Sequence, residues 1–167
     1  TPMDYDWVKL QGKGLNGGHS GSEIDRGLGN ANKILNRYLW TLLKRTDLRI
    51  SEIDGGNLHN AIAREAYAIA GVPVGDRDFA ASSLNTLAAD VESELKTVDP
   101  NVKLLIETVD EPKYVIDKDT TFNLVNAIYA CPPGVMGMSH AIPGLVETST
   151  NLASVKMKED NTIVIGT

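Results

Sequence analysis

Ile24, Leu28, Ala31, Leu35, Tyr38 or Leu39, and Leu42 step along the chain by three and four residues, while Arg26, Asn30, Lys33, Arg37 and Lys44 fall on the opposite side. That spacing describes a helix with one apolar stripe. Ser20 with Glu23 three residues later predicts its start as a capping box. A second stripe, Ala80, Leu84, Leu87, Val91 and Leu95, follows Pro73, Gly75 and Asp76 and stops at Asp99-Pro100. Strand patterns surround these helices: Val8 and Leu10 alternating with Lys9 and Gln11, then Leu48 to Ile53, Ala66 to Ala70, and Val102 to Val109. A single-striped helix must be covered by another layer. The order strand, helix, strand, strand, helix, strand therefore predicts an α+β fold, a four-stranded antiparallel sheet with two helices on one face.

The expected core covers residues 6–111, with an extension over 112–167. In the extension Asp119 or Thr120 caps a shorter helix with Phe122, Val125, Ile128 and Tyr129 on its apolar face, ended by Pro132-Pro133-Gly134. Strands from Leu152 to Met157 and from Thr162 to Ile165 finish the chain, with Asn161 in the turn between them. The 167 residues suit one domain, which buries roughly 70% of its unfolded surface without disulfides or metal. Sixteen Lys plus Arg against 22 Asp plus Glu leave a net charge of −6, which disfavours a broad nucleic-acid or anionic-membrane surface. No apolar run has the ~20 residues of a membrane span, and Thr1 to Asp6 lack a signal-peptide pattern. The single Cys131 reads as a half-buried thiol in a reducing cytoplasm.

Few residues point to chemistry. His19, His59 and His140 have no neighbours at metal-ligand spacing, there is no cysteine pair, and no Gly-x-Ser-x-Gly elbow occurs. Asp90, Glu92 and Glu94 read as a solvated helix face. The segment Gly12 to Gly21 holds five glycines between a strand and a helix, a place where phosphate can be cradled. Gly12, Gly14 and Gly17 match the dinucleotide spacing, but the capping Ser20 starts the helix beyond the last of them, and no Gly-Lys-Ser/Thr ending follows. The glycines otherwise serve backbone geometry. His19 has two open readings, a structural histidine or a neutral imidazole donating one N–H to an incoming carbonyl or oxyanion.

Gly17-Gly18-His19-Ser20-Gly21, followed by Gly29-Asn30-Ala31-Asn32-Lys33-Ile34-Leu35, resembles the opening of the lid domain in aminoacyl-histidine dipeptidases, also called Xaa-His dipeptidases or peptidase D. The stretch from Asp54 to Ala66, with Asn60-Ala61-Ile62-Ala63-Arg64-Glu65 inside it, is similar to a second family segment. The run from Gly144 to Ala153, Gly-Leu-Val-Glu-Thr-Ser-Thr-Asn-Leu-Ala, is similar to a third. Ala63 stands where that family has proline, and Pro133 where it tends to have Asn.

The resemblance implies a single inserted lid and dimerisation domain over residues 1–167, cut from a cytoplasmic zinc-dependent exopeptidase. It implies that the parent hydrolyses Xaa-His dipeptides with a metal-activated water, on two zinc or similar divalent ions held by a catalytic domain absent here. His19 is then the lid histidine that touches the scissile carbonyl and its oxyanion, commonly in the partner subunit's site, and Asn60 contacts the dipeptide near its C-terminal end. Asn60 read by itself is a turn amide bonding its own backbone. The implied partners are the parent's own catalytic domain, a second copy in a homodimer and the dipeptide, with neither nucleic acid nor membrane. The fragment alone is expected to be inactive, without a cofactor of its own, and Thr1 is expected near Thr167. His59 and His140 carry no implied role. The alternatives are an independent binding or dimerisation module and, more distantly, a nucleotide-binding domain.

Overall fold

The computed structural model describes residues 4–167. In chain order it contains strand β1 (Tyr5–Lys13), the two-residue strand β2 (Gly18–His19), a 3-10 turn (Ile24–Arg26), helix α1 (Ala31–Leu43), β3 (Arg49–Gly55) and the short β4 (Ala61–Ile62). These are followed by β5 (Ala66–Pro73), helix α2 (Arg77–Leu95), β6 (Lys103–Thr108), helix α3 (Lys118–Ala130), β7 (Gly134–Met138), β8 (Val146–Thr150), β9 (Ser154–Met157) and β10 (Ile163–Gly166). The fold is α+β, as the sequence predicts. The sheet is larger than expected: β3-β5-β1-β6 form the predicted antiparallel four, and β9 and β10 extend them to six in the order β10-β9-β3-β5-β1-β6. The C-terminal strands join because β9 adds to the free edge of β3, with Gly55 facing Val155 and Asp54 facing Lys156. The expected proximity of the two termini concerns Thr1, which lies outside the described residues.

One face of the sheet makes the core. Leu10 on β1 and Ala66, Ala68, Ala70 and Val72 on β5 point to the helices. A register shift between Ile50 and Glu52 lets Ile50 and Ile53 both turn inward, facing Ala70 and Ala68 across the ladder. Small residues on β5 make room for α1, which lays Ala31, Ile34, Leu35, Tyr38, Leu39 and Leu42 across the sheet. Tyr38 donates its hydroxyl to the Ala80 carbonyl at 2.7 Å, joining α1 to α2, and burial pushes its phenol up to about 12. The opposite face is mixed: Lys9 lies over the Tyr67 ring and Lys156 pairs with Asp54, while Trp7 is buried there against Gly71.

Three local expectations change. The first helix begins at Ala31 rather than near Ser20, because Gly27 adopts a left-handed φ of 70° and interrupts the stripe; Asn30, expected on the polar face, is the buried cap that accepts from the amides of Asn32 and Lys33. The third helix is capped by Asp117, which takes the Thr120 N–H. It buries Thr121, Leu124, Val125 and Ile128, leaving Phe122 and Tyr129 about half exposed. Tyr129 instead stacks on Trp40 of α1 at 4.1 Å between ring centroids. The β7–β8 ribbon has no counterpart in the sequence reading, since its glycine-interrupted apolar run lacks clean alternation. Asn161 does occupy the β9–β10 turn, at φ 64°.

Candidate functional site

His19 and Asn60, 41 positions apart in the sequence, are brought side by side. β2 pairs antiparallel with β4, setting His19 opposite Ala61 and Gly18 opposite Ile62. The Ser20 amide then donates to the Asn60 carbonyl at 2.9 Å. Both side chains lie at the surface. His59 is exposed next to Asn60, and His140 is exposed in the loop between β7 and β8.

The imidazole of His19 is held by its own loop. Its Nδ1 accepts the amides of Gly21 at 3.0 Å and Ser22 at 3.3 Å. A Cβ on Gly21 would come within 3.1 Å of the ring, so a residue without a side chain lets the backbone approach. With Nδ1 acting as acceptor, a neutral ring carries its proton on Nε2, the atom turned away from the loop amides. The capping box of the sequence reading is displaced by one residue: the Glu23 carboxylate accepts the amide of His19, at 2.8 Å, instead of that of Ser20. That bond, and then the Arg26 guanidinium beside it, holds the Glu23 carboxyl below the usual carboxylate range.

The base of the loop is pinned from farther away. The buried carboxylate of Asp99 accepts the Asn16 amide at 2.6 Å and the Gly29 amide at 2.7 Å, so one side chain closes the loop that carries His19. The sequence marked Asp99 only as a helix stop, since its partners are remote and leave no local pattern. On the other flank the Asn151 side-chain amide donates to the Ala61 carbonyl at 2.8 Å. A groove of about 380 Å³ runs beside β4, bordered by Gly14, Gly56, Asn57, Ala61 and Arg64.

This geometry disfavours the nucleotide reading. The amides of Asn16, His19, Gly21 and Ser22 are already engaged by side chains of the protein. They are not a free nest for phosphate. Among the described residues no three His, Cys, Asp or Glu side chains cluster as a metal site requires. No helix among them is long and apolar enough to cross a membrane.

Residues 10–101 match the family described as a peptidase dimerisation domain, and the chain belongs to that family. Among individual proteins, it is 40% identical over 164 residues to the cytosol non-specific dipeptidase of Escherichia coli (strain K12), covering 96% of this chain and 33% of that protein. The crystal structure of the aminoacylhistidine dipeptidase from Vibrio alginolyticus superposes with a TM-score of 0.92 at 35% identity, over 99% of this chain and 34% of that one. The chain thus spans about a third of the length of these relatives.

Proposed function

We propose that this chain is the inserted lid and dimerisation domain of a cytoplasmic metal-dependent dipeptidase that cleaves Xaa-His dipeptides. The observation that carries the reading is the fixed ring of His19, whose Nδ1 is occupied by two backbone amides and whose Nε2–H is left to donate. As the scissile carbonyl oxygen gains charge, that bond strengthens, and its contribution to the transition state is about 3 kcal/mol. Asn60 contacts the dipeptide near its C-terminal end from the turn that leads into β4. Among the described residues none cluster as a metal site requires, in keeping with the two zinc or similar divalent ions belonging to the catalytic domain of the parent; the chain alone is then inactive. In the full-length protein, His19→Ala is expected to lower kcat by ~10²-fold with metal content unchanged. Full kcat in that variant would return His19 to a structural role. Hydrolysis of dipeptides by the isolated chain supplied with zinc would overturn the lid assignment.

The partner in the dimer is a second copy, and β6 is the surface it fits. This strand closes one side of the sheet, pairing among the described residues with β1 alone, and it exposes Leu105 and Ile106 at 41% and 49%. An unpaired edge with apolar side chains is a template for another strand. Antiparallel pairing about Leu105 sets Lys103 against Glu107 of the partner subunit, a complementary match. Leu105→Lys should give monomers in sedimentation; an unchanged dimer would place the interface elsewhere. A module that only dimerises is the second reading, and the His19→Ala assay separates it.

A further inference from the structure

Asn151 lies in the short link between β8 and β9, and its side chain reaches β4, the strand that follows Asn60 and pairs with the strand of His19. We infer that Asn151 is a positioning residue: its amide N–H holds β4 in the register that sets Asn60 beside His19. The inference rests on the catalytic reading of His19 given above.

β4 is two residues long and is joined to β2 through only two residue pairs, so the ladder by itself holds little. The bond from Asn151 Nδ2 to the Ala61 carbonyl, 2.8 Å long and crossing 90 residues of sequence, fastens the residue that follows Asn60 and faces His19. Asn151 is a firm support because the two residues that follow it are each anchored to another part of the fold. The Asn30 side chain at the start of α1 donates to the Leu152 carbonyl at 2.9 Å, and the Ala153 amide donates to the Gly166 carbonyl at 2.8 Å. The other end of the amide is telling. Asn151 Oδ1 is buried without a hydrogen-bond partner among the described residues, an arrangement that an apolar side chain of similar size would avoid. What asparagine supplies here is the N–H donor.

The test uses the full-length dipeptidase with Asn151→Leu, Asn151→Asp, His19→Ala and the double variant His19→Ala/Asn151→Leu. Asn151→Leu removes both the donor and the orphaned oxygen, and Asn151→Asp keeps the shape and removes the donor. Each is expected to lower kcat about tenfold or more, with at least one keeping the wild-type melting temperature. The double variant is expected to be no slower than His19→Ala alone, since a misplaced histidine and a missing one lose the same interaction. Unchanged kcat in both Asn151 variants would overturn the inference. So would an additive loss in the double variant, or unfolding of both single variants, which would make Asn151 a general strut. Full kcat in His19→Ala would instead strike the catalytic reading beneath it.

Discussion

Asp99 and Gly29, 70 residues apart in sequence, meet at 2.7 Å, where the buried carboxylate takes the backbone N–H. The other oxygen takes the Asn16 amide, and the two bonds close the loop that presents His19. Removing the acceptor leaves the buried Gly29 donor and the part-buried Asn16 donor without their shared partner. Asp99→Ala is therefore expected to destabilise the fold by about 2–4 kcal/mol in urea unfolding. Asp99→Asn, which keeps one acceptor oxygen, should lose less. Amide exchange at Asn16 and Gly29 should accelerate in both variants.

Gly14 and Gly27 separate two costs that a left-handed glycine can carry. Gly27, at φ 70°, has open space where a Cβ would stand, so Gly27→Ala meets only the backbone penalty, about 1–2 kcal/mol. At Gly14, φ 80°, the added Cβ would sit 2.0 Å from the Asn101 carbonyl oxygen. The chain must move there. Gly14→Ala should therefore cost more than about 3 kcal/mol in thermal or urea unfolding.

Lys33 sits on the outward side of the sequence stripe but ends as a cap for another helix. Its ammonium donates to the carbonyls of Ile128, Tyr129 and Cys131 at 2.8–2.9 Å, at the end of α3. Lys33→Met should lower stability by about 1–3 kcal/mol, read by thermal melting, with α3 exchanging faster than α1. Arginine should rescue poorly, because a planar fork cannot converge on three carbonyls as an ammonium does.

Low pH should loosen the His19 loop through Glu23. The folded-state pKa of Glu23 lies below its ordinary 4.5, chiefly because the carboxylate accepts the His19 amide. A depressed carboxyl contributes fully above 4.5 and loses that contribution as pH falls through the lower folded value. Protection of the His19 amide, followed by exchange corrected for the intrinsic rate, should persist at pH 5 and above and fall only in the more acidic range. Glu23→Gln should remove that dependence.

The repeating elements were legible in the sequence because their signals are local. The stripes of α1 and α2 follow from residues three and four apart, and the four central strands from short-range patterns. His19 and Asn60 stood out only through runs of residues that resemble a family, since spacing alone left a histidine beside glycines open to a structural reading. Tertiary structure decided what depends on remote partners. The apolar stripe continues through Gly27, yet a left-handed turn there and the grip of Asp99 on Gly29 delay α1 to Ala31, with Asn30 as its cap. Strands β9 and β10 were expected, but their place in the sheet depended on β3 offering a free edge. The bond from Asn151 to Ala61 follows the same rule: an amide shows what it can donate, and only the folded chain determines which carbonyl lies within reach.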